Sequence, residues 1–142
     1  MFGARSQVLV AALLALCAAA AFISCGEDEE VVEMQIERLA IEEVNNSGYA
    51  GELVLASPRS NQTWVLVAVG QGDEPGGDFP VVIQRGSCEG ESGEVVYDLG
   101  SLENGLLNEE IPAAIDDLTE EDYALVIFDS PRRALYVACA AI

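Results

Sequence analysis

Four cysteines, at positions 17, 25, 88 and 139, and 25 acidic side chains are the groups in this 142-residue chain that could do chemistry. Histidine and lysine are absent, and six arginines are the only basic side chains. Without histidine, no Ser–His or Cys–His nucleophile pair can form, and lysine nucleophiles are absent. Paired carboxylates remain, but acids occur along the whole chain, so no pair stands out as a general acid and base. The glycines at 70–77 lack the lysine and following helix of a phosphate-binding loop. No catalytic role is therefore assigned to any residue, and no cofactor is expected.

The cysteines divide by position. Residues 1–24 combine a short leading segment carrying Arg5 with an almost wholly apolar run from Val8 to Ile23. That run is about as long as the core of an export signal and short for a membrane span. It ends in Phe22-Ile23-Ser24-Cys25-Gly26, which resembles the bacterial lipobox, although leucine is commoner where Phe22 stands. The resemblance implies cleavage before Cys25 and diacylation of its thiol. Ordinary secretion with cleavage in the Ala18–Ala21 run is the alternative, and an uncleaved anchor a further one. Cys17 lies inside the signal and Cys25 would carry lipid, so Cys88 and Cys139 are left in the folded part. Two thiols in an oxidising envelope compartment read as a disulfide, contributing about 4 kcal/mol at the upper end of the chain-entropy model.

Charge sets a second bound. The net charge is −19, and removal of the signal makes it one unit more negative. Such a surface repels nucleic acid and anionic lipid heads and attracts cations or a basic partner. Solubility, including solubility in high salt, is the simplest account. Residues 25–33 form an acidic tether with no pattern that could build a core.

From Met34 to Ile142 the chain alternates short β-type runs with turn signals. Strands are expected over 35–44, 52–56, 63–69, 81–85, 94–99, 106–115, 123–128 and 134–142. The turns are Asn45–Gly48, Ser57–Asn61, Asn104-Gly105 and Ser130–Arg133, and 70–78 is an irregular loop. TWVLVAV at 63–69 and YALVIF at 123–128 are apolar at nearly every position, so both read as strands buried on two faces, with Trp64 in the core. Asp116–Asp122 could make one helical turn, because Thr119 and Asp122 are spaced as a weak capping box. Leu118 followed by Tyr123 resembles a tyrosine corner. About eight short strands without a long helix imply an all-β fold, an antiparallel Greek-key β-sandwich.

Four pieces of the domain resemble the Cu,Zn superoxide dismutase-like family, most closely its exported bacterial relatives. They are Val81–Cys88, GEVVYDL at 93–99, DYALVIFDS at 122–130 and YVACAAI at 136–142. The resemblance implies a sandwich of that type and carries the family's disulfide over to Cys88 and Cys139. It also implies metal-binding histidines at Val82, Gln84 and Phe128, where this chain has none. These are degenerate metal-ligand positions, and copper redox chemistry has no imidazole to use.

The reading that follows is a non-catalytic envelope protein, lipid-anchored through Cys25, outside the cytoplasm of a bacterium, with an interaction or structural role and an unidentified protein partner. The alternative is an acidic module for calcium or another cation at Glu27–Glu30 or at Asp116, Asp117, Glu120, Glu121 and Asp122. Arg85, beside the vacated positions, could hold an anion or a neighbouring acid, or serve as one half of a salt bridge. Tyr97, Leu99 and Leu102 offer a dimer face.

Overall fold

The structure, a computed structural model, describes residues 33–89, 93–129 and 135–142. The signal-like segment, Cys25, nearly all of the acidic tether and the 130–133 turn lie outside the described residues. The chain divides into two units, Met1–Val31 and Val32–Ile142, and everything below concerns the second.

Nine strands form one nearly closed antiparallel sheet. They are β1 (Gln35–Glu43), β2 (Tyr49–Arg59), β3 (Gln62–Gln71), the two-residue β4 (Glu74–Pro75), β5 (Pro80–Arg85), β6 (Val95–Ser101), β7 (Leu106–Ile111), β8 (Tyr123–Phe128) and β9 (Tyr136–Ala141). One short helix, α1 (Ile115–Glu120), joins β7 to β8. The strand order is β4-β3-β2-β1-β9-β8-β5-β6, and β7 lies beside β4 on the same edge of β3. β1 is shared: residues 35–41 pair with β2, and Glu42 and Glu43 pair with β9. All pairings are antiparallel, and the all-β class follows the alternation in the sequence.

Turn chemistry acts where the sequence placed it. Asn45 and Asn46 take positive φ (56° and 55°) between β1 and β2, a conformation asparagine tolerates better than most residues. Asn104 and Gly105 both take positive φ (51° and 78°), as a type I′ hairpin turn requires. Gly105 also allows a close approach, since a Cβ there would lie 2.2 Å from the Val69 carbonyl oxygen.

The main core is filled from one face of the sheet by residues such as Leu53, Leu55, Val65, Val67, Ile83 and Leu125, with Ile115 and Leu118 of α1 beneath them. β5 and β8 are buried on both faces. Val81 and Ile83 point with Leu125 and Ile127 into the main core, while Val82, Ala124, Val126 and Phe128 form a second buried cluster with Cys139. YALVIF is thus a two-face strand, as its composition implies. The Cys88–Cys139 bridge is formed, with a Cα–Cα distance of 5.8 Å. It anchors the segment leaving β5 to β9, against the second cluster.

Several expectations are corrected. β3 is buried on one face only: Trp64 is 41% exposed, and Leu66 and Ala68 also point outward. Trp64 is not a core residue; its Nε1–H donates to Glu110 Oε2 at 2.9 Å. The difference from β8 is that no described segment covers β3's outer side. The register places Ile36, Ala56, Trp64 and Glu110 in one outward row, Arg38, Val54, Leu66 and Asn108 in the next, and Ala40, Glu52, Ala68 and Leu106 in a third.

The 70–78 loop contains β4, turned back on β3 through Gly72 (φ 61°). β2 runs on through Pro58, because a bulge between Ala56 and Arg59 lets Ser57 Oγ donate to a carbonyl, that of Arg59 or that of Gln62. β7 stops at Ile111, and Ile115 belongs to α1. The capping box is not used: Ala114 is the N-cap, without a side-chain hydrogen bond, and Thr119 Oγ1 donates to the Asp116 carbonyl at 3.2 Å. Leu99 and Leu102 are buried at 5% and 0% exposure, so they form no dimer face.

The bridge fixes a long loop in the unfolded chain and pins the second cluster in the folded one. Replacing Cys88 and Cys139 together by serine is expected to lower the unfolding free energy by about 2–4 kcal/mol. Denaturant melts of the oxidised protein and the double variant measure it.

Candidate functional site

The three positions singled out by sequence come together on β5 and β8. Val82 is fully buried, Gln84 is 1% exposed and Phe128 4% exposed. β5 and β8 pair with Val82 opposite Val126 and Gln84 opposite Ala124. Val82 and Phe128 belong to one cluster with Ala124, Val126 and Cys139, flanked by Val44, Cys88 and Tyr136. The alternation of two paired strands puts residues two apart on one face. This is why Val82 and Gln84 share a side and why Phe128, at the far end of β8, shares it too.

The polar content of this site is small and closed. Gln84 Nε2 donates to Tyr136 Oη at 3.2 Å, and the Tyr136 hydroxyl lies 3.4 Å from Gln84 Oε1. The Tyr136 ring meets Phe128 edge-on, with centroids 5.1 Å apart. Among the described residues no buried side-chain nitrogen or oxygen lacks a partner. Tyr136 was not singled out by sequence. The signal that could have found it is the buried amide opposite, since a buried carboxamide needs a hydrogen-bond partner.

Tested as a place for copper or zinc, the site does not fit. Valine and phenylalanine supply no donor, the amide and the phenol are turned on each other, and the two sulfurs are bonded together. Both metals favour imidazole or thiolate ligands, and this site has neither. A shallow cleft of 360 Å³ lies beside the bridge, with Glu42 and Glu89 at its rim. It brings no third carboxylate to them.

Arg85 follows Gln84 but leaves the cluster. It is one half of salt bridges to Glu121 (2.6 Å) and Glu94 (3.7 Å), and its guanidinium lies 5.6 Å from the centroid of the Tyr123 ring. The Tyr123 hydroxyl donates to the same Glu121 oxygen at 3.0 Å. Tyr123 therefore does not form a tyrosine corner, whose hydroxyl would bond the backbone upstream. The hydrogen bond to Glu121 raises the Tyr123 pKa above the ordinary 10.0, with burial acting the same way and Arg85 opposing. The Arg85 pKa is raised as well, first by Tyr123 and then by the bond to Glu121.

The acidic residues around α1 are dispersed. Asp116 accepts from Gln35 Nε2 at 3.0 Å, and Glu121 is engaged by Arg85 and Tyr123. Among the described residues no three Asp, Glu, Cys or His side chains converge as a metal site. Glu27–Glu30 lie outside the described residues. No protein-family model, curated protein or solved structure matches this chain.

Two outcomes are expected from these contacts. Tyr136→Phe leaves the Gln84 amide short of a partner and should cost about 1–3 kcal/mol. Pairing it with Gln84→Leu should recover most of that loss, and a double-mutant cycle on thermal melts reads the coupling. Because the Tyr123 pKa is raised on folding, its share of stability is present below the unfolded value near 10.0. That share is lost as pH rises through the higher native value. Phenolate absorbance should show the Tyr123 phenol titrating late, and Glu121→Gln should bring it back toward the ordinary value.

Proposed function

We propose that this chain is a non-catalytic, lipid-anchored protein of the bacterial cell envelope. Its domain is a superoxide dismutase-like Greek-key sandwich that has given up its metal site and serves an interaction or structural role. The observation that carries the proposal is the second cluster. The three positions that the resemblance assigns to histidine ligands are buried on one face of β5 and β8, Val82 and Phe128 in an apolar cluster with the bridged cysteines and Gln84 amide-paired to Tyr136. The N-terminal pattern supports export and acylation at Cys25, which would tether the domain outside the cytoplasm through residues 26–33. The bridge suits an oxidising compartment. The absence of histidine and lysine removes the usual nucleophile and base sets. The cation-binding alternative has no converging carboxylates among the described residues to favour it.

The test has two arms on the protein isolated from membranes. Mass spectrometry should find a mature chain that begins at an acylated Cys25, and Cys25→Ala should release the protein from the membrane fraction. Elemental analysis should find no stoichiometric copper or zinc, whereas the triple variant Val82→His, Gln84→His, Phe128→His should gain binding of one or both. Stoichiometric copper with dismutase activity in the natural sequence would overturn the proposal, as would an unmodified Cys25 in a freely secreted protein.

A further inference from the structure

The outer face of β1, β2, β3 and β7 is unlike the rest of this surface. Every described aspartate and glutamate is exposed, and the chain as a whole carries −19. Yet of the twelve outward positions in the three rows, eight are apolar. The only charges among them are Arg38, Glu52 and Glu110, which sum to −1. Even these are committed locally, Arg38 to Glu52 at 3.0 Å and Glu110 to the Trp64 indole. Among the described residues, three of the six large exposed hydrophobics, Ile36, Trp64 and Leu106, sit on this face at 50, 41 and 61% exposure, and Met34 leads into it. Isolated exposed apolar residues are ordinary, but a contiguous, charge-poor patch marks an interaction surface.

We infer that this face is a self-association surface, which pairs two copies of the chain sheet to sheet about a two-fold axis. Three observations choose a second copy over other occupants. The first is charge. A nearly neutral face offers no complementary attraction to a strongly basic partner, but it is the place where two acidic molecules can meet with least repulsion. The second is relief. A groove of 630 Å³, lined by Val54, Leu66, Ala68 and Leu106 together with the acids Glu52 and Glu103, lies next to the ridge formed by Ile36 and Trp64. A surface carrying both a ridge and a groove can be complementary to its own copy, as an isologous contact demands. The third is size. Four strands spaced by about 4.8 Å and six residues rising about 3.3 Å each give a footprint of about 400 Å² before side-chain relief. That is the size of a weak, transient pairing and below that of a standard interface of about 800 Å² per partner. The pair is therefore a weak dimer. It does not depend on lipid at Cys25 or on the loss of a metal site.

The unit Val32–Ile142 has its own core and disulfide, so it can be tested alone with the bridge confirmed by mass. Sedimentation equilibrium should show a monomer–dimer equilibrium. Raising NaCl from about 0.05 to about 1 M should tighten it by about tenfold, because salt screens the like charges. Trp64 is the only tryptophan in the chain, so its emission should shift to the blue as concentration rises. Leu106→Arg and Trp64→Arg should each weaken the dimer by at least about tenfold, the size of one lost anchor. Both reduce the net negative charge, so added repulsion cannot explain the loss. Val95→Arg, exposed on β6 away from the face, should leave the equilibrium unchanged. A protein that stays monomeric at both salt concentrations would overturn the inference and leave the face to another occupant. A dimer indifferent to Leu106→Arg and Trp64→Arg, or one that salt dissociates, would overturn it equally.

Discussion

The closure of the second cluster by the Cys88–Cys139 bridge is the constraint on which this domain most depends. A sheet buries one face readily, because alternation sends every second side chain inward. Burying the other face needs a further layer. β5, β8 and β9 obtain theirs from the segment that leaves β5 at Gly86 and is tied to β9 through Cys88. Gly86 N–H donates to the Asp122 carbonyl at 2.8 Å, and the bend there has φ 108°. The bridge thus holds Cys88 on the outer side of these strands, where Val44 and Tyr136 also pack, and a second apolar cluster lies opposite the main core.

That burial matters because charge works against it. Among the described residues all acids are solvent-exposed and only three polar residues, Ser57, Thr63 and Gln84, are buried. Self-repulsion of a −19 chain opposes compaction, and the salt bridges of Arg38 and Arg85 are surface pairs of small net value. Stability therefore rests on apolar packing and the covalent tie. The buried polar groups respect this: Thr63 Oγ1 donates to the Ala113 carbonyl at 2.6 Å, and Gln84 meets Tyr136.

Most of the fold was legible because its signals are local. Asn45, Asn46 and Asn104-Gly105 need left-handed backbone, and they sit where the strands turn. YALVIF is apolar throughout and is buried throughout. The same reasoning failed for TWVLVAV, since composition reports only what a strand could bury. Whether a second layer arrives depends on segments distant in sequence, and none of those described arrives over Trp64. Tyr123 escaped for a similar reason: its spacing from Leu118 suggested a corner, but Glu121, two residues away, takes the hydroxyl. The candidate site was legible in its members, Val82, Gln84 and Phe128, but not in its closure, because nothing in the sequence couples Gln84 to Tyr136.

The covered and the uncovered outer faces of the sheet differ in one physical respect. Where the chain covers an outer face, at β5 and β8, the side chains beneath are small or aromatic and fully dry. Where it does not, at β2 and β3, the outward residues of the three rows are apolar apart from Glu52, yet acids dominate the surface elsewhere. A strongly acidic chain could have placed glutamate at Trp64, Leu66 or Ala68 without disturbing the core, since those side chains do not enter it. Their apolar character is therefore not a requirement of this fold as a monomer. It is accounted for if the face is covered in the assembled state, and the covering group must tolerate a surface nearly free of charge.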